Sequence, residues 1–182
     1  MVNKKTILGL FFLTPLFLLT AGDRLSILEE TASLCEQGSS SECYSLGALH
    51  LNGVSDLNIS KNTSSAILAF KKSCDAKSEK SQKACAALGG IYSGYYDEHL
   101  KNGEKAIEYF GQACLLGAGE ICYSVGTLYL SGTSTTKSQP LAKEYYLSGC
   151  MLKDEKSCNA LDDLTAPAPS LLKHKEDVNG SV

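Results

Sequence analysis

Cysteine spacing constrains this chain more than any other feature. The eight cysteines fall into four close pairs, Cys35 with Cys43, Cys74 with Cys85, Cys114 with Cys122 and Cys150 with Cys158. Three pairs are eight residues apart and one eleven, and the stretches between pairs are about 30 residues long, a period that signals a repeat architecture. Aligned on the second cysteine of each pair, residues 43–50, 85–92 and 122–129 share one pattern. An aliphatic residue stands third (Leu46, Leu88, Val125), glycine fourth (Gly47, Gly89, Gly126), an aliphatic sixth (Leu49, Ile91, Leu128) and a ring seventh (His50, Tyr92, Tyr129). That spacing puts the set on one face of a helix, helix A, and Gly53, Gly94 and Gly132 stand where each such helix would end.

A second segment, helix B, leads into the first cysteine of the next pair. It carries an alanine (Ala66, Ala106, Ala142), an aromatic four residues on (Phe70, Phe110, Tyr146) and the cysteine four later. Glycine inside helix A costs about 1 kcal/mol relative to Ala. Its recurrence predicts a close helix crossing, with the small alanines of helix B opposite.

Eight residues of unbroken helix would hold two α-carbons about 12 Å apart, beyond the reach of a disulfide. Each cysteine pair must therefore straddle a turn. Gln37 to Ser40, Gly117 to Gly119 and Lys153 to Glu155 are suited to break a helix there. The expected bridges are Cys35–Cys43, Cys74–Cys85, Cys114–Cys122 and Cys150–Cys158, each tying the end of one helix B to the start of the next helix A. A lone helix B near 25–35 and a lone helix A near 156–164 would close the array, with Glu29, Glu30, Asp162 and Asp163 supplying their polar faces.

Residues 1–22 have the order of a secretory signal peptide: Lys4 and Lys5, an apolar run from Ile7 to Leu19, then Thr20, Ala21 and Gly22. Export suits disulfides, since an even number of cysteines in an oxidising compartment favours bridges over free thiols. The formal charge of the whole chain is -3, and loss of the two leader lysines makes it more acidic. Such a balance leaves no electrostatic footprint for nucleic acid or an anionic membrane. The expected organisation is a signal peptide at 1–22, a repeat domain at 23–164 and a disordered tail at 165–182, which opens on Ala166-Pro167-Ala168-Pro169. Within the domain lie a half repeat at 23–36, repeats near 40–75, 82–115 and 119–151, and a terminal helix at 155–164.

The Leu-Gly-x-x-Tyr pattern of helix A, with the alanine and paired aromatics of helix B, resembles the Sel1-like subclass of tetratricopeptide-type repeats. The cysteine pair at every junction is similar to the Helicobacter cysteine-rich protein family. The resemblance covers residues 25 to 164. His50 departs from the pattern where it has Tyr, Val125 replaces Leu, the second junction holds three extra residues and the loop from Val54 to Thr63 is long. The resemblance implies an all-α, right-handed α/α superhelical solenoid. It also implies a possible activity, because some family members are described as penicillin-binding proteins or weak beta-lactamases.

The residues themselves do not spell out that chemistry. A serine beta-lactamase needs Ser-x-x-Lys at a helix start together with Ser-Asp-Asn and Lys-Thr-Gly. Ser-x-x-Lys occurs at Ser134 to Lys137 and Ser170 to Lys173, as chance predicts for a chain so rich in both residues, and the other two motifs are absent. His50, His99 and His174 fall in a core stripe, a loop and the tail, so no zinc-type cluster is expected. Neither a catalytic residue nor a metal or cofactor is assigned.

The side chains of helix A that lie off the core stripe would line a concave groove. Tyr44, Ser45 and Ala48 correspond to Tyr123, Ser124 and Thr127, with Asn52 and Ser131 one turn later. Tyrosines in register offer contact area and a hydroxyl to a peptide or glycan. The expectation is a secreted or periplasmic monomer that binds a peptide, protein or cell-wall fragment, with a penicillin-binding hydrolase as the alternative. Asp56 to Ser60 and Asp177 to Ser181 also fit the acidic form of the N-glycosylation sequon, with Asn58 and Asn179 as acceptors.

Overall fold

In a computed structural model, residues 21–166 apart from Glu79 are described. They form α1 (Ala21–Glu36), α2 (Ser40–Asn52), α3 (Thr63–Asp75), α4 (Ser81–Tyr92), α5 (Gly103–Leu115), α6 (Gly119–Ser131), α7 (Gln139–Met151) and α8 (Glu155–Thr165). Among these residues there is no β-strand, only an isolated bridge between Val54 and Ile59. Helices α2, α4, α6 and α8 are the A helices and α1, α3, α5 and α7 the B helices. Each packs mainly on its neighbours in sequence, α2 on α3, α4 on α5 and α6 on α7, which is the contact pattern of a solenoid. The expected leader falls almost wholly outside the described residues, as does the tail beyond Ala166, and α8 runs through Thr165.

The same polar device closes each A-to-B loop. Asn62, Asn102 and Ser138 cap α3, α5 and α7, their side chains accepting from the backbone N–H of Ser65, Lys105 and Leu141. Their own N–H groups donate to the carbonyls of His50, Tyr92 and Tyr129 at 2.7, 2.8 and 2.9 Å. One residue thus satisfies an orphan donor of helix B and an orphan acceptor of helix A.

The junctions break their helices with a left-handed residue three places after the first cysteine. Gly38 and Gly117 take that role without strain, at φ 95 and 105°, while Lys77 and Lys153 hold it at 49 and 65°. The turn brings each cysteine pair together, with α-carbons 4.6, 5.0, 4.8 and 4.5 Å apart, and all eight cysteines are bridged as the spacing predicts. At the longer second junction the extra residues are anchored by buried serines. Ser81 Oγ accepts from Ser78 N–H at 2.7 Å and donates to the Ser73 carbonyl at 2.6 Å.

Phe70, Leu88, Ile91 and Val125 are fully buried, and Ala66, Ala84, Ala106, Ala113 and Ala142 let the helices approach. The recurring helix A glycine is explained differently from the expectation, because it faces a ring and not the alanines alone. Gly47 lies under the Phe70 ring, Gly89 under Phe110 and Gly126 under Tyr146, so the glycine is the seat of the helix B aromatic. At Gly126 an alanine comes close as well, through the Ala142 carbonyl.

Six of the cysteines, those of the first three bridges, are no more than 3% exposed. Cys150 and Cys158 are only half-buried, and among the described residues no helix B follows α8 to cover that junction. Stepwise reduction followed by alkylation and peptide mass mapping should label Cys150 and Cys158 before the other six. Simultaneous labelling of all eight would show that the fold protects every bridge equally.

Candidate functional site

The expected groove residues sit on the A helices, Tyr44, Ser45, Ala48 and Asn52 on α2 and Tyr123, Ser124 and Thr127 on α6. Their polar atoms are largely committed within their own helices. Ser45, Ser124 and Thr127 donate to the carbonyls of Ser41, Glu120 and Tyr123, and Asn52 donates to that of Ala48, at 3.0 to 3.2 Å. Ser131 donates to the Leu128 carbonyl in the same way. Both tyrosines are half-buried against the ring of their own repeat, Tyr44 5.8 Å from Phe70 and Tyr123 5.7 Å from Tyr146. Thr127 Oγ1 and the Tyr146 hydroxyl, 3.1 Å apart, join the two helices of the third repeat. What this face presents is ring edges and hydroxyl lone pairs.

Repeat 2 departs from the pattern in two ways. The residue equivalent to Tyr44 and Tyr123 is Ala86, which helps line a cavity of about 420 Å³ at the N-terminal end of α4, with Gln82, Lys83, Glu120, Lys153 and Asp154 around it. None of the seven candidate residues lines that cavity. The residue equivalent to Ala48 and Thr127 is Gly90, and Tyr96 from the loop after α4 lies over it, 3.3 Å from where a Cβ would stand. Tyr95 packs edge-on against Tyr96 with centroids 4.9 Å apart and is 81% exposed. Tyrosines therefore mark this face in all three repeats, two helical and one pair supplied by a loop. Periodicity could not place the loop pair, although glycine at the Ala48 position was a trace of it.

On the other side of the helix pairs, Tyr109 stacks on Tyr92 and Tyr145 on Tyr129, both with centroids 5.6 Å apart. Burial, then the neighbouring Tyr92, Glu108 and Asp75, raises the Tyr109 phenol above its usual range. Burial, Tyr129 and Glu144 do the same for Tyr145. Both rings therefore stay neutral well past physiological pH, as structural phenols do.

Ser134 and Lys137 lie on the irregular segment between α6 and α7, not on the helical turn that a serine nucleophile and its lysine share. Ser170, Lys173 and His174 fall outside the described residues. His50 is half-buried in α2 and His99 is exposed in a 3-10 turn, and among the described residues no cluster of histidine, cysteine or carboxylate has the make-up of a metal site. Asn58 is exposed, with left-handed backbone at φ 53°, and Asn179 lies outside the described residues. No helix among the described residues is long and apolar enough to cross a membrane.

Comparison with known proteins agrees with the repeat geometry. A cytochrome c oxidase assembly factor 7 from Danio rerio is 36% identical over 107 residues, which cover 58% of this chain and 46% of that protein. The chain thus spans less than half the length of that curated relative. A Sel1 repeat protein from Oxalobacter formigenes has a similar structure, with a TM-score of 0.59 and 23% identity over 75% of this chain and 98% of that one. A protective antigen of uropathogenic Escherichia coli matches with a TM-score of 0.57 and 26% identity, over 77% of this chain and 28% of the other. Cysteine-rich protein B of Helicobacter pylori matches with a TM-score of 0.52 and 24% identity, over 79% and 98%. Sel1 repeats are matched at residues 43–78, 82–117 and 120–154, each spanning one A helix, one B helix and the turn beyond, and the chain belongs to the Sel1 repeat family.

Proposed function

We propose that this Sel1 repeat chain is an exported scaffold, secreted or periplasmic, that binds a peptide or protein segment along the face formed by its A helices. The observation that carries the reading is the exposed Tyr95–Tyr96 pair, whose Tyr96 lies over Gly90, the position that Ala48 and Thr127 hold in the repeats that carry Tyr44 and Tyr123. Exposed tyrosines held by packing lose little entropy on binding and commonly dominate interface energetics. Four bridges closing every junction fit an oxidising compartment. The Danio rerio relative is, by its name, an assembly factor for cytochrome c oxidase, which fits a role in contacting other proteins.

Selection of binders from a displayed random peptide library against the oxidised chain tests this. Tyr95→Ser should weaken the selected peptides about tenfold, the effect of losing about 1.4 kcal/mol. The thermal melt should stay unchanged, since the Tyr95 side chain is largely exposed. Binders indifferent to Tyr95, Tyr96 and Tyr123 alike would place the interaction elsewhere and sink the reading.

A further inference from the structure

We propose that the first repeat holds a binding pocket for a single aromatic ring bearing a polar substituent, a phenol or close relative, in the slot that a tyrosine fills in the other two repeats. The internal repeats serve as each other's controls. Three residues after the buried helix B alanine, the second repeat has Tyr109 and the third has Tyr145, each stacked nearly parallel on the ring of its helix A partner, with interplanar angles of 8 and 15°. The equivalent residue of the first repeat is Ala69, and its helix A partner is His50.

Two observations among the described residues mark the place of the lost ring. A cavity of about 230 Å³ lies at this position, bounded by His50, Ala69, Leu68 and Cys35, with Glu36 and Lys72 also at its wall. An apolar cavity of roughly 150 Å³ is enough to take up benzene, so the space admits one substituted ring. In addition, among the described residues no group hydrogen-bonds the buried His50 Nδ1, a condition that is uncommon in folded proteins and marks imperfect packing around this ring.

The lining selects the ligand class. His50 offers an aromatic face in place of Tyr92 or Tyr129, and offset stacking on it favours a flat ring over an alkyl chain. Leu68, 66% exposed, gives the site an apolar lip. The Glu36–Lys72 ion pair, 2.6 Å long and largely exposed, puts polar partners within the same wall for a hydroxyl or amide. The slot opens between the end of α1 and the middle of α3, away from Tyr95 and Tyr96, so this pocket stands or falls independently of the scaffold reading above.

The test is an NMR titration of the oxidised full chain with p-cresol and, separately, with N-acetyltyrosine amide. The first stands for a free small molecule and the second for a ring carried on a peptide. Saturable shifts confined to His50, Leu68, Ala69 and Lys72 are expected, with a dissociation constant on the order of 1 mM, as suits so small a ligand. Response to both ligands would assign the slot to a partner side chain, and response to p-cresol alone would assign it to a small molecule. Ala69→Tyr supplies the ring from within the chain and should abolish the response while raising the melting temperature. Shifts that are scattered or never saturate in the wild type, or that persist in folded Ala69→Tyr, would overturn the proposal. If that variant does not fold, the map of shifts on the wild type decides alone.

Discussion

Reduced under otherwise native conditions, this chain should lose most of its helical circular dichroism by 37 °C (about the temperature at which small disulfide-dependent domains fail to fold once their bridges are removed), whereas the oxidised chain should not. Each bridge closes a ring between cysteines separated by only 8 or 11 residues. In the chain-entropy account a ring of that size stabilises by about 2.5 kcal/mol. Four of them amount to about 10 kcal/mol, comparable with the whole net stability of an ordinary domain, about 5 to 15 kcal/mol. A slender solenoid has few reserves against such a loss, because each helix pair contacts only its neighbours and no central core ties distant repeats together. Reduced cysteines would still pack as small apolar groups, so the loss should come from the unfolded chain gaining freedom and not from cavities in the folded one. A reduced chain that melts within a few degrees of the oxidised one would show that neighbour packing, not covalent closure, holds the array.

The bridges were legible in the sequence because they depend on local geometry. A helix of known rise cannot bring residues eight apart together, so the pairs had to flank turns, and the left-handed residues at 38, 77, 117 and 153 are how the chain does it. Helix phase was legible for the same reason, since Cys43, Gly47 and Leu51 or Ala66, Phe70 and Cys74 mark buried faces by spacing alone. What spacing could not carry was depth. Spacing puts Tyr44 and Tyr123 on the groove side, and each also rests on a helix B ring, because a large side chain at the edge of a stripe reaches sideways to the nearest apolar neighbour. Loop paths were also hidden. Tyr95 and Tyr96 belong to the segment after α4, whose course no period in the sequence marks. The empty slot beside His50 needed both partners in view, since Ala69 reads as an ordinary core alanine until the missing ring is sought.

Two neighbouring glycines of α4 should respond to alanine with opposite signs. In a free helix, glycine to alanine stabilises by about 1 kcal/mol. Gly90 comes close to that situation, because an added Cβ would meet only the edge of the Tyr96 ring, at 3.3 Å, a contact that a shift of a few tenths of an ångström relieves. Gly90→Ala should therefore be neutral or up to about 1 kcal/mol stabilising. Gly89 is different, because its Cβ would overlap three atoms of the Phe110 ring, as at Gly47 it would approach Phe70 to 2.6, 2.7 and 2.9 Å. Those rings are wedged between their two helices and cannot retreat without parting them, and overpacking of that kind costs about 1 to 3 kcal/mol beyond the propensity gain. Gly89→Ala should lower stability by about 2 kcal/mol, so that the two variants differ by about 3 kcal/mol and by roughly 6–12 °C in thermal melting. Shrinking the ring tests the cause, since Phe110→Leu should relieve part of the Gly89→Ala defect in a double-mutant cycle. Equal responses at the two glycines, or additive effects of Gly89→Ala and Phe110→Leu, would mean that the ring does not rest on Gly89 and that the recurrent glycine serves some other purpose.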